Sequence, residues 1–198
     1  MNKTVKISAA VAFLLTLAVA PALGIQPPVI TLDRVEVASI QPFYMGQTVI
    51  GKNDDGSPKM GAVGYSSTLS LAYVFNIKNP NKEPLMLDEI QFTTAFEGFD
   101  VSTAIAYEDA WVPGEKTNQL RVVVVTEAHP TVMSLMVGAG NAERVKSMNT
   151  NAKALVEKWF AEIADFKFPI EVKGGTAIFQ DEKGKEIRAT FKDTWPKN

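Results

Sequence analysis

Few side chains in this sequence are suited to nucleophilic or acid–base chemistry. There is no cysteine and a single histidine, His129, so thiolate chemistry is excluded and a catalytic triad or a zinc site lacks most of its usual parts. His129 precedes Pro130 at the end of a predicted strand, where a structural role is favoured. Glu108-Asp109 and Glu115 are close enough in sequence to suggest the carboxylate pair of a glycoside hydrolase. Since the chain has 22 acidic residues, this closeness carries little information, and we predict no catalytic residue.

Three short motifs come close to a ligand site or a nucleophile, and each lacks an essential part. Residues 46–53 match the phosphate-binding loop except at Asn53, where a hydroxyl should reach magnesium, and a turn follows in place of a helix. Residues 53–55 offer oxygen ligands for calcium, but their spacing is not that of an EF-hand, and a solvated turn is favoured. Residues 64–68 lack the final glycine of a nucleophile elbow. We therefore expect no metal and no cofactor.

Composition and charge narrow the classes of partner. The chain has 198 residues, of which 46% are hydrophobic and 21% charged, as in an ordinary globular domain. Twenty basic residues against 22 acidic ones leave a net charge of −2. No basic excess is present to hold a polyanion, so no nucleic-acid partner is predicted.

Residues 1–24 have the pattern of an export segment. Two lysines precede a long apolar run, and Ala22-Leu23-Gly24 offers a cleavage site. If the run is not cleaved, residues 7–24 are nearly long enough to anchor the chain in a membrane. Cleavage is narrowly favoured because Pro21 and Gly24 break a helix there. Either alternative places residues 25–198 outside the cytoplasm, in the periplasm, the cell envelope or the medium.

The remaining residues alternate between apolar and polar side chains over many short stretches. Residues 44–67 are an exception, predicted as a long loop or an irregular hairpin. Residues 120–126 contain four consecutive valines followed by a threonine, and this β-branched run predicts a strand buried on both faces. Strands at this spacing, with turn signals between them, indicate an all-β sandwich. The predicted strands cover residues 29–40, 68–78, 85–96, 99–107, 120–126, 170–180 and 185–192.

One segment changes to the helical period. Apolar residues from Ala152 to Ile163 fall on one stripe, which predicts a single inserted amphipathic helix over about 150–166. The stripe is expected to pack on a sheet edge or on one end of the sandwich. The alternative is that Leu155, Trp159 and Phe160 form a docking surface for another protein or a bilayer. Gly138-Ala139-Gly140, before the helix, is predicted to be a flexible linker.

A set of turns and strand residues forms a recognisable pattern. It consists of Asn79-Pro80-Asn81, Leu85-x-Leu87 with Ile90, Phe96-Glu97-Gly98-Phe99-x-Val101, Val112-Pro113-Gly114-x-x-Thr117, Leu120-x-Val122-x-Val124, and Val172-x-Gly174 with Lys183-Gly184 and Phe191. Over about residues 28–192, this pattern resembles the group-2 late embryogenesis abundant (LEA type 2) family, also called the water stress and hypersensitive response (WHy) domain.

The resemblance implies a fibronectin- or immunoglobulin-like β-sandwich without a catalytic site. It also implies a role in desiccation or stress protection and, for exported bacterial and archaeal forms, a place in the cell envelope. The chain departs from the family pattern at residues 44–67 and 127–167, two segments that could carry a partner site. The motif residues expected to be structural are Asn79, Pro80, Asn81, Gly98, Pro113, Gly114 and Gly174.

Three functional hypotheses follow. The first is a non-enzymatic, extracytoplasmic binding or protective domain, for which a stress or desiccation role and a protein partner are expected. The alternative is an accessory structural subunit of a membrane protein complex, anchored by its N-terminal segment and docked through residues 44–67 or 141–166. A hydrolase that uses scattered carboxylates ranks third.

Overall fold

A computed structural model describes residues 24–138 and 140–197, with the backbone alone described at residues 47, 48, 50 and 62–65. The predicted export segment lies outside the described residues, apart from Gly24. Within the described ranges, no helix combines the length and the apolar character needed to cross a membrane.

The described chain is mostly β-strand, with a helical segment between the seventh and eighth strands. The strands are β1 (Val29–Ile40), β2 (Met45–Lys52), β3 (Pro58–Ser66), β4 (Thr68–Lys78), β5 (Leu85–Phe96), β6 (Phe99–Val112), β7 (Thr117–Glu127), β8 (Ile170–Gln180) and β9 (Glu186–Trp195). The helices are α1 (Ala128–Val137), α2 (Asn141–Ser147) and α3 (Ala152–Glu162), followed by a 3₁₀ turn at Ile163–Asp165.

The strands form antiparallel sheets, which confirms the all-β prediction at the level of class. One sheet has the order β1-β4-β7 and another the order β6-β5-β8-β9. Strands β2 and β3 pair with each other, with three register shifts, so residues 44–67 form the irregular hairpin and not the long loop. Strand β6 continues to Val112, five residues beyond its predicted end.

Large side chains from the three-stranded and four-stranded sheets meet in one core. Alternate residues of β4 point towards the other sheet, and the Tyr73 and Phe75 rings each lie 5.2 Å from the Phe92 ring of β5. Phe75 also contacts Phe191 of β9 at 5.3 Å between ring centroids. Such edge-on contacts add to the free energy gained by burying the rings themselves. The two sheets therefore share one core, in which these aromatic contacts lie among many buried aliphatic side chains.

Strand β7 corrects one prediction. Only its even-numbered residues face the core, whereas Val123 and Val125 are 46% and 53% exposed on the outer face. The strand lies at the edge of an antiparallel sheet, and such a sheet commonly covers only one of its faces. A β-branched run indicates a strand but does not specify that both faces are covered.

The helical segment corrects the prediction of a single inserted helix. Helices α1 and α2 precede α3, and Gly138 and Gly140 lie in the connection between them, where a linker was predicted. Pro130 is compatible with α1 because it falls in the first turn, where a missing N–H removes no helical hydrogen bond. Helix α3 covers Ala152–Glu162, within the predicted range of about 150–166 but ending four residues earlier. The Asn151 side-chain oxygen accepts a hydrogen bond from the Ala154 N–H at 2.9 Å and caps the helix.

The apolar stripe of α3 packs against the sheet, as expected, and does not form the alternative docking surface. Leu155, Trp159 and Phe160 are only 2%, 1% and 4% exposed, so they belong to the core and offer no surface to a partner. The Trp159 ring packs edge-on against Phe96, with 5.5 Å between ring centroids. An amphipathic stripe this close to a sheet gains more free energy from burial than it would by remaining in water.

The sheets have two distinct ends. At one end Leu85 pairs with Val112 and Gln180 pairs with Glu186, and the turns at 79–84, 113–116 and 181–185 gather there. We call this the turn end. At the opposite end Phe96 pairs with both Phe99 and Ile170, and the helices follow β7. We call this the helical end.

The buried Tyr73 hydroxyl leads to a prediction about alkaline stability. It hydrogen-bonds to Thr94 inside the core, and burial raises the pKa of this phenol because a phenolate there would lose its hydration. The unfolded chain releases the proton near pH 10 whereas the folded protein retains it, so stability should fall as pH rises above about 10. Urea unfolding at a series of pH values measures the slope.

Tyr73→Phe is the control, and it should have a shallower slope than the wild type over the same range. Its stability at neutral pH should fall by about 1–3 kcal/mol, since the Thr94 hydroxyl is left buried without this partner. Equal slopes in the two proteins would contradict a neutral, buried Tyr73.

Candidate functional site

The candidate site is a groove between the edge strands of the two sheets. Strand β6 lies at the edge of the four-stranded sheet, and β7 lies at the edge of the three-stranded sheet. They are consecutive in the chain and run side by side, yet they do not pair as a ladder in the part of the chain that is described. The groove between them has a volume of about 340 Å³ and is lined by residues 102–106, 108 and 121–125. We call it the β6–β7 groove.

Small side chains leave the backbone of β6 accessible in this groove. Ala104 and Ala106 point into it and are only partly buried, and on β7 the inward-facing residues are Val122 and Val124. An edge strand presents a row of backbone N–H and C=O groups that have no ladder partner. Such groups are strong hydrogen-bonding sites that an added polypeptide can satisfy.

Exposed apolar side chains flank the groove on both sides. On β6 they are Ile105 and Tyr107, which are 53% and 75% exposed, and on β7 they are Val123 and Val125. Trp111 lies on the same face towards the turn end, separated from Tyr107 by the exposed Asp109. A scattered exposed apolar residue needs no explanation, but a row of them along two open edges is typical of an interaction surface.

The charges in the groove are unequal. Arg121 is held by Glu36 of β1, with 3.3 Å between its Nε and the carboxylate, and hydrogen bonds from Arg34 and then from Arg121 keep the pKa of Glu36 below its ordinary value. Glu108 also lines the groove and has no ion-pair or hydrogen-bond partner among the described side chains. The positive charge of Arg121 is thus paired within the protein, whereas the negative charge of Glu108 is unpaired among the described residues.

The carboxylates considered for hydrolysis do not form a pair. Glu108 and Asp109 are consecutive residues of β6, so they point to opposite faces of the sheet. Glu115 lies beyond the strand, in the turn between β6 and β7. In residues 24–138 and 140–197, no cluster of three or more His, Cys, Asp or Glu side chains is arranged to hold a metal ion.

The other motifs considered in the sequence lie in strands, turns and a helix of the fold. Residues 46–52 belong to strand β2, and no helix N-terminus follows them. Asp55 accepts hydrogen bonds from the N–H and the hydroxyl of Ser57 at 2.9 and 2.6 Å, which lower the pKa of its carboxyl. Ser67, within the 64–68 motif, is buried and donates to the Pro42 carbonyl. His129 lies in the first turn of α1, and its Nδ1 atom is buried without a hydrogen-bond partner.

Asn79 is the centre of the turn after β4. Its side-chain N–H groups donate to the carbonyls of Glu83 and Val112 at 2.9 and 3.1 Å, and its oxygen accepts from the Asn81 backbone N–H and side chain. Asn81 in turn exchanges two hydrogen bonds of 2.8 Å with the backbone of Gln26. The Asn79-Pro80-Asn81 turn therefore joins the β4–β5 connection, the end of β6 and the segment before β1.

Two glycines predicted to be structural have clear steric reasons. A Cβ atom at Gly114, after Pro113, would overlap the Lys82 carbonyl, so only glycine fits against the Asn79–Asn81 turn. Gly174 has a φ of +57°, a region that favours glycine, and it lies at a register shift between β8 and β9.

The turn between β5 and β6 joins the sheet to the helices. Glu97 and Gly98, with φ of 47° and 83°, form a two-residue connection of the kind that favours positive φ. The Glu97 carboxylate accepts hydrogen bonds from Trp159 Nε1 at 2.7 Å and from Lys158 Nζ at 2.9 Å. Arg144 of α2 lies over the Phe99 ring at 4.0 Å.

The sequence predicted a structural role for Gly98 but not for Glu97. The partners of Glu97 lie about 60 residues away along the chain, so they leave no local signal.

Comparisons with known proteins concern the fold. No family model matches this chain, and no curated protein matches it in sequence. A protein of Arabidopsis thaliana with a known solution structure is 12% identical, with 89% of this chain and 85% of that chain covered and a TM-score of 0.50. A structural genomics target solved by X-ray crystallography is 10% identical over 84% of each chain, with a TM-score of 0.43. A protein from Archaeoglobus fulgidus is 10% identical, with coverage of 81% and 98% and a TM-score of 0.35. At these identities no function can be transferred.

Proposed function

We propose that this protein is a non-enzymatic domain that binds and protects other proteins outside the cytoplasm. The observation that supports this proposal is the β6–β7 groove, because two open strand edges lie there beside exposed Ile105, Tyr107, Val123 and Val125. Partly unfolded proteins expose extended apolar segments, which are the chemical complement of such a surface. A place outside the cytoplasm is supported by the pattern of residues 1–24.

The proposal includes a fold type and a family. The aromatic core between the two sheets and the likeness to the Arabidopsis structure support a fibronectin- or immunoglobulin-like β-sandwich. The Asn79-Pro80-Asn81 turn and the Gly98 and Gly114 positions support membership of the LEA type 2 or WHy family, with its role in stress or desiccation.

A client-protection assay tests this function. A stress-sensitive enzyme is dried or heated with and without the purified protein, and its aggregation is followed by light scattering. We expect the wild type to suppress aggregation and the double variant Ile105→Lys/Val125→Lys to lose this effect, since two charges would flank the groove. Val49→Lys/Met60→Lys is the matched control: it adds the same charge to an exposed apolar pair on the β2–β3 hairpin. Loss of protection in the hairpin variant alone would contradict the proposal.

The second candidate function is an accessory subunit of a membrane complex. The observation that favours it is the β2–β3 hairpin, where Val49 and Met60 are opposite each other and both are exposed. Under this proposal the hairpin, and not the buried stripe of α3, contacts the complex. Extraction from the native host in mild detergent separates the two candidates, since a subunit migrates in one large assembly whereas a protective domain migrates free.

A further inference from the structure

The geometry of the β6–β7 groove points to a specific class of occupant. We infer that the groove binds an extended partner segment in which lysine or arginine alternates with apolar residues, and that this segment adds to β6 as a further strand. The inference rests on the proposed binding function and deepens it by specifying the chemistry of the partner.

The unpaired edge of β6 determines the conformation of the occupant. A polypeptide can satisfy the free N–H and C=O groups of an edge strand only by lying extended beside it, at a spacing of about 4.8 Å. The accessible stretch covers residues 102–108, and the inward-facing Ala104 and Ala106 are small enough to let another backbone approach. A segment of about seven residues would cover this stretch, at about 3.3 Å for each residue.

The alternation of β6 determines the sequence pattern of the occupant. Ile105 and Tyr107 lie on the outer face of the sheet, whereas Glu108 lies on the groove side. A strand added to β6 alternates in the same way, so its apolar residues fall beside Ile105 and Tyr107 and the intervening residues fall beside Glu108.

Charge complementarity selects a basic segment. Glu108 is the groove carboxylate without an ion pair among the described residues, while Glu36 already neutralises Arg121 on the other side. Strand β6 itself contains no lysine or arginine, so the β6 strand of a second copy would bring no charge complementary to Glu108. A partner segment with lysine or arginine on its groove face would form hydrogen bonds with the free backbone groups of β6 and an ion pair with Glu108.

Strand β9, at the opposite edge of the same sheet, is less accessible to an added strand than β6. At β9, the Asp193 carboxylate accepts a hydrogen bond from the Leu32 N–H of β1 at 2.9 Å. This bond joins the two sheets along the β1–β9 side and occupies space that an added strand would need. On the β6–β7 side the described residues form one side-chain hydrogen bond between the two strands, from Asn118 to the Trp111 carbonyl at 2.8 Å. It lies near the turn end, outside residues 102–108, so it leaves the accessible stretch of β6 open.

Fluorescence anisotropy with a labelled nine-residue peptide of alternating valine and lysine tests the inference. We expect the peptide to bind the full-length protein, with affinity that falls as salt rises. Glu108→Gln should weaken binding about fivefold, the scale expected for one partly exposed ion pair. Glu182→Gln is the matched control, because it makes the same change at an exposed site in the β8–β9 turn and should leave affinity unchanged. Equal affinities for the wild type and Glu108→Gln would overturn the role of charge.

Two further probes test strand addition itself. The same peptide N-methylated at alternate residues cannot donate hydrogen bonds from one edge, and its affinity should fall more than about tenfold. Hydrogen exchange with the unmodified peptide bound should slow at residues 102–108 and remain unchanged at β9. Equal binding of the methylated peptide, protection at β9, or preference for a valine–glutamate peptide would each overturn the inference. If one of these results occurs while Ile105→Lys/Val125→Lys still abolishes client protection, the proposed binding function stands. In that case only the inferred partner, a basic segment that adds to β6 as a strand, is wrong.

Discussion

Replacing Trp159 with alanine should lower the free energy of unfolding by about 3–5 kcal/mol, the range typical of large aromatic residues removed from a core. Trp159 is 1% exposed and packs against Phe96, Phe99 and Phe168. It also donates its indole N–H to Glu97 at 2.7 Å, so the substitution leaves a cavity and a carboxylate with one hydrogen bond fewer. Urea unfolding followed by circular dichroism measures the loss.

Two controls separate packing from hydrogen bonding in this prediction. Trp111→Ala removes the same side chain from a site that is 47% exposed and should cost far less. Trp159→Phe retains an aromatic ring but not the N–H, and a double-mutant cycle with Glu97→Gln isolates the hydrogen bond. If Trp159→Ala costs no more than Trp111→Ala, then α3 does not pack on the sheet as described.

Asn79→Ala should destabilise the protein by about 3 kcal/mol, because it leaves several buried backbone groups without partners. The side chain is 0% exposed and makes two hydrogen bonds as a donor and two as an acceptor. Thermal and urea unfolding both report the effect, and the m value should remain the same since the fold is unchanged.

Asn118→Ala and Asn81→Ala are the matched variants for Asn79. Asn118 makes a single hydrogen bond from its side chain, to the Trp111 carbonyl at 2.8 Å, and its loss should cost about 1 kcal/mol. Asn81→Ala releases Gln26 and should have an intermediate effect. An unchanged unfolding midpoint for Asn79→Ala, together with lost partner binding, would show that the turn is a functional site and not a structural one.

Most strands could be predicted because their alternation is local. In β4, for example, Leu69, Leu71, Tyr73, Phe75 and Ile77 alternate with smaller or polar residues, and all five are buried. Helix α1 was missed for the opposite reason. Pro130, Thr131 and Val132 have low helix propensity, and the helix forms because Val132 and Leu135 pack into the core. The buried positions of α1 do have helical spacing, but the exposed Met133, Met136 and Val137 are also apolar, so the stripe cannot be distinguished in the sequence.

The candidate groove could not be predicted because it depends on strand order. Residues 99–107 and 120–126 were expected to be strands, but nothing local indicates that β6 and β7 both lie at sheet edges. The exposure of Val123 and Val125 follows from this order, and so do the roles of Glu108 and Arg121. By contrast, the Asn79 turn was predictable, because asparagine and proline in that spacing have strong local preferences.

The start of β1 and the end of β9 lie at opposite ends of the sheets, which has a mechanical consequence. β1 begins at the turn end, where Gln26 is held by Asn81, and β9 finishes at the helical end, where Trp195 pairs with Ile170. A force that pulls these ends apart acts parallel to β1. The hydrogen bonds between β1 and β4, from the Val29–Lys78 pair to the Ile40–Leu69 pair, are therefore loaded together in shear. Bonds loaded together must break together, whereas bonds pulled open from one end fail in succession at lower force. Under tension this domain should therefore behave as a stiff link, with the Gln26–Asn81 pair as the first element to yield.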